Sequence, residues 1–311
     1  MSQLPLFTIF DLPPRLDLYA ALRRCGPQRA WELMQELAEH DRPRYEAGLG
    51  PGQDVESLAA RARSGMRSTP ALAGRDLEQD ATAFARYGPR LQLECTYLAL
   101  WLGRREDLDT VVEVVGAEHL RDALAVGRGV LALPFHVGPS YAVSPVLAHH
   151  VATTALYNRM NFDELAAAFF PDLPIEAHRL GDGAAFRRAV TALRAGRAFS
   201  MFPELDPRGV DRHHERVPFL GTTVLAPLGP ALLSRSTGAP MLPLDLRRTG
   251  DGTFRLTFHP PVEAPRDAQE DLPAVRAVWS ALEDVLLAGV VGEWEIWFEF
   301  DALLPAAPVP A

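Results

Sequence analysis

The sequence contains no lysine: all 31 residues counted as lysine or arginine are arginine. This absence excludes a catalytic Schiff-base lysine and the lysine of a phosphate-binding loop. Positive charge is also in deficit, because 40 acidic residues leave a net charge of −9. An acidic chain of this kind is disfavoured as an unspecific binder of a phosphate backbone.

Cysteine is nearly absent as well. Cys25 and Cys95 are the only two, too few for a disulfide framework or a cysteine-only zinc site, so we expect both to be packing residues. The adjacent pairs His149-His150 and His213-His214 are not spaced like a zinc motif, since neighbouring side chains point to different sides of a regular element. We therefore expect neither a metal nor a tightly bound cofactor.

Long hydrophobic runs are missing too. Uncharged apolar stretches such as "VLLAGVV" fall far short of the roughly 20 residues that a membrane-spanning helix needs. The first residues, "MSQLPLFTIFDLPPRLD", do not combine a basic start with an apolar stretch as a signal peptide does. We expect a soluble, cytoplasmic protein without a transmembrane segment.

What the sequence does contain is apolar residues in two kinds of pattern. With 48% hydrophobic residues in 311, the chain can bury a large core. From about residue 15 to 104, apolar residues recur at three- and four-residue spacing, which predicts helices broken by proline and glycine. The stretch "RPRYEAGLGPGQD", residues 42–54, is predicted as a loop.

After residue 105, short apolar runs alternate with amphipathic stretches, which is typical of strand-helix units around a partly parallel sheet. Strands are predicted at "GVLALPF", "VATTALY", "AFSMFP", "PMLPLDLR" and "TFRLTFH". Helices are predicted at "AEHLRDALAVG", "YAVSPVLAHH", "NFDELAAAFF", "GAAFRRAVTALRAG", "TVLAPLGPALLSRSTG" and "LPAVRAVWSALEDVLLAG".

These patterns predict an α/β fold with a mixed, partly parallel central sheet flanked by helices. We expect a helical N-terminal region, residues 1–105, packed on the core. The α/β domain follows over residues 106–303, and residues 304–311 form a disordered tail.

Polar residues follow several of the predicted strands. His136 comes after the first, Tyr157-Asn158-Arg159 after the second, Glu204 and Asp206 after the third, and Arg247 after the fourth. An open α/β sheet carries its site at the carboxyl ends of its strands. If these ends meet at one edge, they bring an imidazole, two carboxylates and guanidinium groups into a single cleft.

Four blocks in order resemble the lysophospholipid acyltransferase superfamily, and within it the late acyltransferases of lipid A synthesis, the lauroyl and myristoyl acyltransferases. They are "AEHLRDALAVGRGVLALPFHVGPSY", "ALYNRMN", "LRAGRAFSMFPELDPRG" and "VPFLGTTVLAPLGPALLSRSTGAPMLPLDLRR". The resemblance extends over about residues 112–300. It implies a glycerolipid acyltransferase-like fold and the transfer of an acyl group from acyl carrier protein or coenzyme A.

The resemblance implies that His136 is the general base that deprotonates the acceptor. In the family an acid five positions later fixes the imidazole tautomer, whereas this sequence has Tyr141 there. A phenol offers no full charge at neutral pH. Three explanations are open: a carboxylate from elsewhere, such as Glu204 or Asp206, orients His136; the acceptor is nucleophilic enough to need less help; or the site is inactive. His136, Tyr141 and Glu204 are the candidate catalytic residues.

The resemblance also implies acceptor-binding residues. The block "FPELDPRG" supplies Asp206 and Arg208 beside Glu204, although the same letters are also ordinary for a charged turn. Further candidates for substrate binding are Asn158, Arg159, Asn161 and Arg247. For Arg247, surface pairing with Asp245 or Asp251 is an equally good explanation.

The C-terminal stretch "GEWEIWFEFDALL" departs from the basic cluster that the lipid A branch carries there. Its acids, Glu293, Glu295, Glu299 and Asp301, would repel a phosphorylated sugar, which favours a less anionic acceptor. Because the aromatics alternate with acids as in a strand, Trp294, Trp297 and Phe298 are expected in the core.

The sequence thus predicts an acyltransferase that moves an acyl group from a carrier thioester to a small amine, hydroxylamine or hydroxyl acceptor, with secondary metabolism as a hypothetical context. The donor substrate would be acyl-CoA or acyl carrier protein. One alternative is an aminoacyl transferase that uses aminoacyl-tRNA on the same fold, with tRNA as a partner. The other is a non-catalytic protein that binds an acyl chain or a carrier.

Overall fold

The structure is a computed structural model, and it describes residues 15–47, 54–157, 162–179, 184–204 and 213–305. Within these ranges, apolar runs form strands and amphipathic stretches form helices. The strands are β1 Val112–Val115, β2 Val130–Pro134, β3 Thr153–Tyr157, β4 Ile175–Arg179, β5 Ala198–Ser200, β6 His214–Phe219, β7 Thr222–Pro227, β8 Met241–Gly250 and β9 Thr253–Phe258. The helices are α1 Leu16–Arg24, α2 Pro27–Ala47, α3 Val55–Arg67, α4 Leu77–Ala85, α5 Tyr87–Ala99, α6 Arg105–Leu108, α7 Ala117–Ala125, α8 Val143–Ala148, α9 Phe162–Phe169, α10 Ala185–Arg194, α11 Gly229–Thr237, α12 Asp271–Val285 and α13 Phe300–Leu303.

Within these ranges a seven-stranded sheet forms in the order β1-β9-β8-β2-β5-β3-β4. Neighbouring strands are parallel except β8 and β9, which are antiparallel. The strands β6 and β7 form a separate antiparallel hairpin. The predicted class, a mixed and partly parallel sheet flanked by helices, is therefore confirmed.

Strand β2 lies at the centre of the sheet and is buried on both faces. All five of its residues are buried, as expected of a strand covered by helices on both sides. Val130 and Ala132 pack into one core cluster, and Leu131 and Leu133 into the other. The period-two geometry of a strand turns a continuous apolar run into two apolar faces.

The N-terminal helices cover both of these faces. Tyr19, Trp31 and Leu98, from α1, α2 and α5, belong to the same core cluster as Leu244 of β8. Met66 of α3 and Phe84 of α4 belong to the cluster on the opposite face. The helical N-terminal region thus shares its hydrophobic core with the sheet, while its predicted boundary at residue 105 stays a prediction.

The predicted loop over residues 42–54 is wrong for its first part, because α2 continues to Ala47 with Pro43 inside it. Proline removes one backbone donor, and here the chain nevertheless keeps its helical path. Residues 48–53 lie outside the described ranges. So do residues 306–311, most of the predicted disordered tail.

Strands β1, β4 and β6 were not predicted, and β7 was predicted as the start of a helix. Strands β1 and β4 are the two edges of the sheet, where charged residues interrupt the apolar pattern that marked the central strands. In β7 the β-branched residues pair with β6, and the helix begins only at Gly229, with Pro230 in its first turn, a favoured position for proline.

The C-terminal aromatic segment is not a strand. Residues Glu295–Glu299 form a 3-10 helix, and the buried aromatics Trp294, Trp297 and Phe300 recur every three residues, which is the period of that helix and not of a strand. Trp294 and Trp297 are buried, whereas Phe298 is 38% exposed and its predicted place in the core is wrong. Cys95 is buried as expected of a packing residue, but Cys25 is exposed.

Across the described ranges, none of the helices combines the length and apolarity required to cross a bilayer. The cytoplasmic location stays a prediction.

The turn after β2 yields a test of the fold. Gly138 has a φ of +60°, and a Cβ there would lie 2.2 Å from the carbonyl oxygen of Leu246 in β8. Gly127 has a φ of +73° but nothing within 4 Å of the same position. Gly127→Ala should therefore lower the free energy of unfolding by about 1–2 kcal/mol, from backbone strain alone. Gly138→Ala should cost about 3 kcal/mol or more, because the backbone must also move. Equal losses in urea denaturation would contradict this packing of the turn.

Candidate active site

His136 lies just beyond the C-terminal end of the central strand β2, between the neighbouring strands β8 and β5. This is the edge at which a parallel sheet carries its site. The residue is buried, with 9% of its surface exposed.

Three elements hold the turn that carries His136. The N–H of Phe135 donates to the Leu244 carbonyl of β8 at 3.1 Å, and the His136 carbonyl accepts from the N–H of Glu295 at 2.9 Å. The hydroxyl of Tyr87, at the start of α5, donates to the Gly138 carbonyl. The backbone on both sides of His136 is thereby fixed to the sheet, the C-terminal segment and an N-terminal helix.

Glu204 is the carboxylate that lies against His136. It follows the adjacent strand β5 and is completely buried. Its Oε2 is 3.1 Å from His136 Nδ1, and its Oε1 accepts the backbone N–H of His136 at 2.8 Å. The indole N–H of Trp294 points to the same Oε1 at 3.4 Å.

This contact fixes the tautomer of the imidazole. An ionised carboxylate only accepts hydrogen bonds, so the ring proton sits on Nδ1 and the lone pair of Nε2 is left to accept a proton. Burial disfavours the charged imidazolium, but the charge and the hydrogen bond of Glu204, together with the charges of Glu295 and Glu299, outweigh burial and raise the pKa of His136 above its ordinary value of 6.5. A base stabilised in this way suits proton abstraction near neutral pH.

An aromatic ring stacks on the face of the imidazole and orients it. Phe202 stacks on His136 with ring centroids 3.8 Å apart and an interplanar angle of 23°. Because Phe202 and Glu204 stand in the same segment after β5, the placement of that segment decides both the orientation and the charge environment of His136.

The ring of Tyr141 meets the imidazole edge to face, whereas its hydroxyl binds another residue. Its hydroxyl donates to Glu295, at 2.8 Å from Oε1 and 3.0 Å from Oε2, and its ring centroid is 6.4 Å from that of His136. Of the three explanations for the missing acid, this geometry matches a carboxylate supplied from elsewhere in the chain. The carboxylate is that of Glu204.

Arg247 lies beside the same turn. If Gly138 carried a Cβ, that atom would lie 3.3 Å from the Cα of Arg247. Its Nε is 2.6 Å from Oδ1 of Asp245. Asp245 is completely buried and its other oxygen lies 2.7 Å from Nε2 of His259. The guanidinium is therefore paired with a buried carboxylate and not with one at the surface. Its predicted role in substrate binding stays a prediction.

The other predicted substrate-binding residues lie outside the described residues: Asn158, Arg159, Asn161, Asp206 and Arg208. The first three follow β3 in the sequence, and the last two follow Glu204.

Three residues of the site were not assigned to it from the sequence. Phe202 and Trp294 contact the His136–Glu204 pair, and Glu295 binds both the His136 backbone and Tyr141. For Phe202, its position between a strand and Glu204 was a usable signal. For Glu295 the signal was its place in an acidic stretch where the resembled family is basic. For Trp294 no local signal existed, because it approaches from a distant part of the chain.

Most of the chain is similar to known proteins. The family model described as "Bacterial lipid A biosynthesis acyltransferase" matches residues 82–302, which confirms the resemblance seen in the sequence blocks. A search of curated protein sequences finds no match. Among solved structures, the 1-acyl-sn-glycerophosphate acyltransferase PlsC from Thermotoga maritima matches with 15% identity and a TM-score of 0.37, over 75% of this chain and 97% of that chain.

The Glu204 contact predicts how His136 titrates. NMR titration of the imidazole should give a pKa above 6.5 in the wild type and a lower one in Glu204→Gln, where burial acts without the carboxylate. His149 serves as an internal reference in both proteins, because burial lowers its pKa. By the same linkage, His136 contributes stability below pH 6.5 that is lost as the pH rises through its folded-state pKa. A wild-type pKa at or below 6.5, or one unchanged in Glu204→Gln, would rule out this charge interaction.

Proposed function

Since the chain belongs to the bacterial lipid A biosynthesis acyltransferase family and is an acyltransferase, we propose that it transfers an acyl group from a carrier thioester to a small amine, hydroxylamine or hydroxyl acceptor, with His136 as general base. The contact between His136 Nδ1 and Glu204 Oε2 is the observation that carries this proposal. The carrier, acyl-CoA or acyl carrier protein, takes part as a substrate.

In the proposed reaction, Nε2 of His136 takes the proton of the acceptor N–H or O–H as the acceptor attacks the thioester carbonyl. A bond forms between the acceptor and the carbonyl carbon, giving a tetrahedral intermediate. When the C–S bond breaks, the imidazolium returns the proton to the leaving thiolate. The products are the acylated acceptor and the free carrier thiol.

Glu204 keeps its contact with Nδ1 throughout the proposed cycle. It holds the Nδ1 proton and stabilises the imidazolium that exists between the two proton transfers, which is the role of the carboxylate in a catalytic triad. Its other oxygen binds the backbone N–H of the same residue, which fixes the carboxylate against the turn. Rotation of the imidazole would break the Nδ1 contact and the stacking on Phe202.

The charges beside the site support an acceptor with little negative charge. Glu295 lies next to the turn of His136, and Glu299 is within electrostatic reach of the imidazole. Glu293, by contrast, is paired with Arg90 at 3.0 Å, so its charge is compensated. Uncompensated carboxylates repel phosphate groups at close range, so we propose a neutral or amine acceptor in place of a phosphorylated sugar.

The donor can be separated experimentally from the aminoacyl-tRNA alternative. With a thioester donor, transfer continues after ribonuclease treatment of the donor. With an aminoacyl-tRNA donor, ribonuclease abolishes transfer. The family assignment favours an enzyme over the non-catalytic binding protein.

His136→Ala should lower kcat for acyl transfer by about 10²–10⁴-fold, the usual contribution of a general base. The measurement uses a panel of acyl-CoA and acyl carrier protein donors with amine and hydroxyl acceptors. His149→Ala is the matched control, because the His149 ring binds the Leu102 carbonyl and we assign it no role in the reaction. Wild-type turnover by His136→Ala, at unchanged protein stability, would sink the general-base assignment.

A further inference from the structure

Glu295 contacts the catalytic turn with both its backbone and its side chain. Its N–H donates to the His136 carbonyl at 2.9 Å, and the preceding residue, Trp294, forms a bridge with Val137. The side chain of Glu295 accepts the Tyr141 hydroxyl on both oxygens, at 2.8 and 3.0 Å. The carboxylate is therefore held beside the turn by the hydrogen bond of its own backbone to His136 and by the hydroxyl of Tyr141.

The position of this carboxylate carries an electrostatic cost. Burial raises the pKa of Glu295, while the charge of His136 and the Tyr141 hydrogen bond oppose that rise. A neutral side chain in the same position would avoid the cost of burying a charge. A half-buried carboxylate that lies beside the turn of His136 and accepts a hydroxyl on both of its oxygens points to a use for the charge itself.

The charged groups that face His136 come from two elements of the described chain: Glu204 follows β5, and Glu295 and Glu299 belong to the C-terminal 3-10 segment. From α5, Tyr87 and Cys95 lie near Glu295, but burial raises the pKa of each well above its ordinary range, so both are neutral. Glu299 is exposed and its charge is screened by solvent. Among the described residues that face the imidazole, Glu204 and Glu295 are thus the two acidic residues that are sheltered from solvent.

We propose that Glu295 is a positioning residue for His136, an inference that rests on the general-base role proposed above. Its carboxylate stabilises the imidazolium that forms when His136 takes the proton of the acceptor, and the hydrogen bond from Tyr141 favours the ionised form of that carboxylate and holds it in place. Glu204 fixes the tautomer by direct contact, whereas Glu295 acts through space, and Tyr141 acts through Glu295.

The test uses four variants that separate charge from structure. Glu295→Gln keeps the backbone N–H to His136 and the shape of the side chain but removes the charge. Tyr141→Phe removes the hydroxyl alone, and the double variant tests whether the two act together. Glu299→Gln is the matched control, because it removes the same charge from an exposed position of the same segment.

Two quantities are measured on each protein: the NMR titration of the His136 imidazole and the acid limb of the pH profile of kcat/KM. Removing a negative charge favours the neutral imidazole, so Glu295→Gln should move both to lower pH, by about 0.5–1 unit, and should lower kcat by up to about tenfold. Tyr141→Phe should move them in the same direction by less. It should have no further effect in the Glu295→Gln background, and Glu299→Gln should shift them least of the single variants.

Several results would overturn the proposal. One is a Glu295→Gln protein in which kcat falls but neither the imidazole titration nor the acid limb moves, since a purely structural role gives that pattern. Another is a Tyr141→Phe effect of the same size with and without the Glu295 carboxylate. Failure of the general-base role is separable from these, because it is seen as wild-type turnover by His136→Ala, while the NMR titration reports the charge interaction independently of turnover.

Discussion

The carboxylate of Glu204 makes two contacts with a single residue, one with the ring and one with the backbone of His136. Both partners are buried, and a buried carboxylate is tolerated only where hydrogen bonds and opposite charge compensate its lost hydration. His136 supplies two hydrogen-bond donors, the ring Nδ1–H and the backbone N–H, and a positive charge when it is protonated. The Trp294 indole adds a longer contact. The conformations of the two segments that follow β2 and β5 depend on this pair.

The rest of the fold places these two segments side by side. Strands β2 and β5 are parallel neighbours at the centre of the sheet, so their C-terminal ends meet at one edge. Helices on both faces exclude water from the strands, and the N-terminal helix α5 and the C-terminal 3-10 segment close the site from two directions. The surroundings of His136 are therefore drawn from the beginning, the middle and the end of the chain.

The sequence alone predicted the central strands well because burial on both faces leaves a continuous apolar run, as in β2 and β8. It predicted the edge strands poorly because their polar residues imitate other patterns, as in β1 and β4. His136 and Glu204 were identified as candidates because each follows such a central strand. Their pairing could not be deduced, since the two residues are 68 positions apart and the strand order is a property of the whole sheet. The local neighbour of His136, Tyr141, instead binds a carboxylate 154 positions away.

The central claim is that Glu204 makes His136 the base of the reaction, and the pH dependence of kcat/KM for acyl transfer tests it most directly. In the wild type, activity should fall on the acid side with an apparent pKa above 6.5, because a protonated His136 cannot accept the acceptor's proton. In Glu204→Gln this limb should move to lower pH, and the limiting kcat/KM should fall because the imidazolium loses its partner. A limb that stays at the same pH in Glu204→Gln, or a wild-type profile without one, would contradict the claim.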